Sequence, residues 1–335
     1  MKLVSRVGAA VDGWLLSTLS SRIQQRRSQD VAPPRHDRRA LLDEVIHGYR
    51  GLDLFSPPER APKLLAEEDG TWKWKSGYEP RWAPARGAYL AHAENAYAYA
   101  HVRMQPKPAP AVVLIHGYGG GRRFIEERAF PVRWLFERGL SAALFVLPFH
   151  GARAVAGKSL WPSVHVARTN EGFGQAIWDL RGLSSLLRAR GATSIGAVGM
   201  SLGGYTTALW ATCDELSIAA PMIPVASFPD LFWHHGDGSP ARARAEREGI
   251  THAMLSDAMA GHTPLKRAPK IPPERALVLC AEGDRIAPPS HAEKLAEHFA
   301  CQIVHFSGGH LLQIGRREAF RALGRRLGEL GLISR

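Results

Sequence analysis

In the stretch SIGAVGMSLGGYTTALW, Ser194 to Trp210, one serine stands between glycines two residues away on either side. Gly199-Met200-Ser201-Leu202-Gly203 fits the pattern Gly-x-Ser-x-Gly. Five residues in that order arise often by chance. Here an apolar, strand-like run leads in and a helix-forming run leads out, which gives the pattern its weight. A serine on such a turn is lifted above the end of its strand, and the glycines remove side chains that would collide there. The helix that follows points its positive end at the same spot, favouring negative charge. The chemistry these features suit is attack of the Ser201 hydroxyl on an acyl carbonyl. The backbone N–H of Leu202 and a second amide, that of Tyr118 in the loop IHGYGGGRR, are the expected donors to the oxyanion. That glycine run could also cradle a phosphate, but it lacks the Lys-Ser/Thr of a phosphate-binding loop and the spacing of a dinucleotide fingerprint.

A serine hydroxyl needs a base to take its proton and an acid to orient that base. Fifteen histidines are available, so position must choose among them. His310 follows the strand-like IVHF, with Gly308 and Gly309 before it. Asp284 follows the strand-like ALVLCAEG, in a loop that turns at two prolines. His291 and His298 lie on a helical pattern and read as solvated, and His305 reads as packed within a strand. Asp230 and Asp237, after the preceding strand, are the alternative acids.

These residues need a scaffold that brings distant strand ends together. From Ala111 onward, continuous apolar runs (AVVLIHG, SAALFVLPFHG, TSIGAVG, LSIAAPMIPVA, RALVLCAEGD, CQIVHFSGG) alternate with amphipathic helical stretches such as TNEGFGQAIWDLRGLSSLLRARG. TWKWKSGY and AYAYAHVRM alternate as strands upstream. Strands and helices in this alternation imply an α/β fold, a mostly parallel, doubly wound sheet with helices on both faces. Ligands of such sheets bind at the carboxyl ends of the strands. His116-Gly117, His150-Gly151, the Ser201 turn, Asp284 and His310 all fall there.

With these motifs in place, Thr71 to Leu330 resembles the α/β-hydrolase superfamily, most closely its bacterial esterase-like members with a short HGYGG loop. The resemblance implies an eight-stranded sheet, the chain order Ser201, Asp284, His310 for a catalytic triad, and acyl transfer without metal or organic cofactor. The expected function is hydrolysis of a small-molecule carboxylic ester or thioester through an acyl-enzyme on Ser201. An acyltransferase with the same triad, or a degenerate binding protein on this fold, are the alternatives. The family usually inserts a cap between two core strands, here about residues 228–273. In that segment Phe228, Phe232 and Trp233 offer an apolar lining which, with His150, would form the substrate pocket. The chain thus divides into an N-terminal helical extension, residues 1–70, and a hydrolase domain, residues 71–335.

At 335 residues the chain can bury a large core. Its formal charge of +12 reads as arginine spread over a solvated surface, because no nucleic-acid-binding motif accompanies it. The three cysteines give neither a disulfide framework nor a zinc spacing, and a reducing cytoplasm fits them. No apolar run is long enough to cross a bilayer. In residues 1–27, Leu3, Val7, Val11, Trp14, Leu15, Leu19 and Ile23 recur near helical period, interrupted by Asp12. This reads as an amphipathic helix packing its apolar stripe on its own domain or on a partner subunit. Peripheral contact with a membrane surface is the other use of such a helix.

Overall fold

The computed structural model describes residues 4–13, 38–154, 161–163 and 165–333. Nine strands form one sheet: β1 Leu64–Glu68, β2 Thr71–Lys75, β3 Tyr97–Arg103, β4 Ala109–Ile115, β5 Ser141–Val146, β6 Ala192–Met200, β7 Ala219–Met222, β8 Leu277–Ala281 and β9 Gln302–Phe306. Their spatial order is β1-β2-β3-β5-β4-β6-β7-β8-β9. Pairings from β5 through β9 are parallel, and β1, β2 and β3 extend the sheet antiparallel beyond β5. The eight strands expected are therefore nine. The additional strand is β1, a half-exposed edge whose LLAEE sequence carries little apolar alternation. The expected division after residue 70 falls in the turn that pairs β1 with β2.

The twelve described α-helices are α1 (4–13), α2 Arg38–Tyr49, α3 Ala83–Leu90, α4 Arg123–Ala129, α5 Val132–Glu137, α6 Val166–Ala189, α7 Leu202–Ala211, α8 Phe228–His235, α9 Pro240–Arg247, α10 His252–Ala258, α11 Pro289–His298 and α12 Arg316–Glu329. Helices α8 to α10 occupy the segment between β7 and β8. Among the described residues, no helix is long and apolar enough to cross a membrane.

The central strands read as continuous apolar runs because both sheet faces are covered. In β4, Ala111, Val113 and Ile115 enter a core shared with Phe173 and Ile177 of α6, Tyr205 and Leu209 of α7 and Leu295 of α11. Val112 and Leu114 enter the opposite core with Leu135 of α5 and Leu323 and Leu327 of α12. The chain runs from β4 outward to β5, then crosses back to β6 on the other side of β4. Loops leaving β4 and β6 therefore diverge at a topological switch point, where open α/β sheets leave a crevice.

Helix α2 and the β2–β3 connection are both tied to α6 by the buried carboxylate of Glu171. Glu171 accepts hydrogen bonds from the hydroxyls of Tyr49 (2.7 Å) and Tyr78 (2.6 Å) and from the amides of Arg81 (2.9 Å) and Trp82 (3.0 Å).

Three further expectations need correction. Helix α1 packs on its own chain, at the Asp284 and His310 loops, but not through the Val7–Val11 stripe: Val7 is exposed and Val11 half-buried, while Ser5, Gly8, Ala9 and Asp12 are buried. Close backbone approach, not apolar area, selects that face. Leu3, Trp14, Leu15, Leu19 and Ile23 lie outside the described residues. His291 is buried rather than solvated, because its Nδ1 accepts the Ala226 amide at 3.1 Å. His305 is exposed, on the edge strand β9.

Candidate active site

Ser201 sits between β6 and α7 with φ 55° and ψ −112°, a left-handed backbone that a non-glycine residue adopts only when its surroundings enforce it. Its amide donates to the Met222 carbonyl of β7 (2.9 Å), and its carbonyl accepts the Tyr205 amide of α7 (2.9 Å). The flanking glycines are sterically required. A Cβ on Gly199 would lie 2.5 Å from the Thr207 hydroxyl oxygen and inside the Gly203 carbonyl. A Cβ on Gly203 would lie 2.5 Å from the Ile115 carbonyl carbon and 2.7 Å from the His116 oxygen, at the end of β4.

The structure brings Ser201, Asp284 and His310 together. His310 Nδ1 lies 2.7 Å from Asp284 Oδ2, and its Nε2 lies 2.8 Å from Ser201 Oγ. With the carboxylate accepting, Nδ1 carries the proton, which leaves Nε2 of the neutral ring to accept from the serine hydroxyl. Asp284 is buried, and its Oδ1 accepts the amides of Ile286 (2.9 Å) and Ala287 (2.7 Å), so the carboxylate is held from both oxygens. Burial disfavours the charged form of His310. The Asp284 charge and hydrogen bond, with a contribution from Asp12, outweigh it and hold the pKa above the ordinary 6.5. Such an arrangement can take a proton from Oγ at Nε2 while the imidazolium is stabilised from Nδ1.

Leu202 opens α7, so its N–H lies in the first helical turn, where no intrahelical carbonyl reaches it. Across the crevice, a Cβ on Gly117 would touch the Ser201 Cβ at 3.5 Å, and the Tyr118 amide comes next. The loop is braced from behind. His116 is fully buried; its Nδ1 bonds the Gly117 carbonyl (2.7 Å), and its Nε2 accepts the Leu147 amide (3.1 Å). Burial, with His150 nearby, pushes the His116 pKa down to about 3, keeping it neutral. Glu126 accepts the Gly121 amide at 2.9 Å.

The expected pocket residues divide. His150 is buried beside His116 and Tyr118, with ring centroids 5.1 and 5.7 Å away. Its Nδ1 is engaged by the Pro148 carbonyl (2.8 Å), and burial pushes its pKa down to about 4. Phe228 is buried against Phe173 and Tyr205, and the half-exposed Phe232 packs on it at 5.7 Å. Trp233 instead lies under Arg242 (4.6 Å) and beside His252. The alternative acids are engaged elsewhere: Asp230 with His252 (2.8 Å) and Lys294 (2.9 Å), Asp237 with Arg242 (3.0 Å). An open recess of about 400 Å³ adjoins Asp284, lined by Gly13, His234, His235, Arg285 and Pro288.

Asp12 is the residue whose place here sequence reasoning missed. It is fully buried, and its carboxylate accepts the amides of His310 (2.6 Å), Leu311 (3.1 Å) and Arg285 (3.2 Å). The available signal was the spacing of Ser5, Gly8, Ala9 and Asp12, a helical stripe of small and polar residues.

No family model matches the chain. Two curated Mycobacterium tuberculosis proteins, from strains CDC 1551 / Oshkosh and ATCC 25618 / H37Rv, are 30% identical to it over 269 residues and are described only as uncharacterized. The match covers 77% of this chain, which spans 63% of those relatives' length. Among solved structures the chain is similar to Est1E from Butyrivibrio proteoclasticus with bound ferulic acid (TM-score 0.51, 17% identity, 70% of this chain and 95% of that one). It is also similar to an acetyl xylan esterase from Paenibacillus sp. R4 (TM-score 0.51, 15% identity, 88% and 94%) and to an esterase of Pyrococcus furiosus (TM-score 0.50, 16% identity, 70% and 86%).

Proposed function

We propose that this chain, whose fold is similar to that of these esterases, is an α/β-hydrolase-superfamily serine hydrolase of carboxylic esters or thioesters. The observation that carries the reading is the continuous hydrogen-bonded line from Ser201 Oγ through His310 to Asp284, at 2.8 and 2.7 Å, on a serine held at positive φ. Ser201 Oγ attacks the acyl carbon as its proton passes to His310 Nε2, and the Leu202 and Tyr118 amides receive the oxyanion. The intermediate collapses, the C–O or C–S bond breaks, and the departing alcohol or thiol takes the proton from His310. Water then attacks the acyl-serine with His310 as base. The carboxylic acid leaves, and the serine regains its proton.

The names of the structural neighbours, esterases among them, agree with this reading. The exposed Tyr118, Leu311 and Leu312, on the loops that flank the serine, suit a substrate with an apolar acyl portion. A fluorophosphonate probe tests the assignment. The wild-type protein is expected to be labelled, with competition by short-chain esters and thioesters, and Ser201→Ala is expected to lose labelling while keeping its fold. Undiminished labelling of Ser201→Ala overturns it.

A further inference from the structure

We propose that Asp12 is a positioning residue of the reaction, fixing the base and acid loops relative to Ser201 from the first helix of the chain. The inference rests on the triad reading above and adds to it a residue 298 positions away from His310 in sequence.

The carboxylate is placed where it can act on both loops at once. Oδ2 accepts the amide of His310 (2.6 Å) and that of Arg285 (3.2 Å), the neighbour of Asp284, while Oδ1 accepts the amide of Leu311 (3.1 Å). All three donors are main-chain groups, so they set the path of the backbone on which the base and the acid are carried. The same helix makes a second attachment. Ser5 donates to Glu282 (2.9 Å) and accepts the Gly308 amide (3.4 Å), and the Gly283 amide donates to the Gly308 carbonyl (2.8 Å). Gly8 lets helix and loop meet: a Cβ there would lie 2.7 Å from the Gly308 carbonyl carbon. On Gly309 it would lie 2.6 Å from Asp12 Oδ2.

A buried negative charge beside the base also has an electrostatic effect. When Ser201 loses its proton, His310 becomes an imidazolium, and Asp12 joins Asp284 in stabilising it. Among the described residues, the other charged or titratable groups on the elements around His310 include Arg6 on α1, Glu282 and Arg285 beside Asp284, His305 on β9, and His234 and His235 of α8 across the recess. Asp12 therefore acts on both the geometry and the protonation of the base, without touching substrate.

The test uses the full chain and a p-nitrophenyl ester, with fluorophosphonate labelling in parallel. Asp12→Asn keeps the shape, removes the charge and turns one acceptor into a donor facing an N–H. It is expected to lower kcat by about 10²-fold, the scale of a misplaced catalytic group, with KM nearly unchanged. The acid limb of its pH–rate profile should move to lower pH. Ser5→Ala, on the same buried face, controls for loose docking. A purely structural role would make both variants lose activity in step with melting temperature and leave the pH limb in place. Should Asp12→Asn not fold, Gly8→Ala shifts the intact carboxylate off the loop and is expected to lower kcat in the same way. If Ser201→Ala is unlabelled yet Asp12→Asn, or Gly8→Ala in its stead, keeps the wild-type kcat and pH profile, the triad reading survives and this inference falls. Labelling that persists in Ser201→Ala brings down the triad reading and this inference with it.

Discussion

Gly203→Ala adds a single methyl at the tightest contact of the turn that carries Ser201. The new Cβ would lie 2.5 Å from the Ile115 carbonyl carbon and 2.7 Å from the His116 oxygen, where ordinary van der Waals contact begins near 3.4 Å. The Ile115 carbonyl oxygen lies closer still, so strand β4 and helix α7 would have to part by about 1.5 Å. Neither can yield alone. β4 is hydrogen-bonded to β5 and β6 on its two sides, and α7 is buried along its whole length. The displacement instead falls on the gap between the Leu202 amide at the start of α7 and the Gly117–Tyr118 loop leaving β4. Overpacking of this kind costs about 1–3 kcal/mol of stability, which a core of this size tolerates. The effect on rate should be larger. Loss of one oxyanion donor is worth about 10²–10³ in kcat. Steady-state kinetics on a p-nitrophenyl ester, beside a urea melt, separates the two effects. A folded Gly203→Ala protein with wild-type kcat would refute the argument that this contact sets the oxyanion geometry.

Three further outcomes are expected. Because His310 must be neutral to accept the serine proton and its pKa is held above 6.5, kcat/KM should rise through an apparent pKa above that value; a limb well below pH 6 would contradict the environment described for the ring. Asp284→Asn leaves the fold intact but presents a donor to Nδ1, so Nε2 carries the proton instead and kcat should fall by about 10⁴-fold; stopped-flow or steady-state kinetics on the folded variant checks it. Arg153→Met strands the fully buried Asp179, its partner at 2.8 Å, and should cost about 3–5 kcal/mol in urea unfolding, part of which Asp179→Leu in the same chain should restore.

The parts of the fold legible in the sequence were those whose causes are local. Strands β4, β5 and β6 read directly, because a strand covered on both faces must be apolar throughout. The Ser201 turn read directly as well, because its glycines answer to steric needs within a few residues. Asp284 and His310 could be singled out by their positions just beyond strands. What could not be read depended on partners far away in sequence. β1 is an edge of mixed polarity that becomes a strand by pairing with β2. His291 sits one helical turn before Leu295, on the buried face of α11, and its buried Nδ1 is satisfied by the amide of Ala226, far away in sequence. Helix α1 misled in another way: hydrophobic periodicity nominated Val7 and Val11, while the face that docks is chosen by how closely the backbone of the His310 loop approaches.

That last case exposes the physics common to the whole site. Its critical contacts are main chain on main chain: Gly203 on the end of β4, Gly117 on the Ser201 turn, Gly8 on the Gly308–Gly309 loop. Side chains rotate among wells, whereas amides at strand ends and in first helical turns keep their direction. A proposed oxyanion donor or base loop held this way would be in place before substrate arrives, which is the condition under which electrostatic stabilisation costs no reorganisation. Small residues are the means of bringing backbones that close, and they leave no hydrophobic signature. On this view, the buried Ser5-Gly8-Ala9-Asp12 stripe of α1 is built by the same rule as Gly199-Met200-Ser201-Leu202-Gly203. Gly8 and Gly309 bring α1 and the His310 loop close enough that the Asp12 carboxylate reaches the amides of that loop.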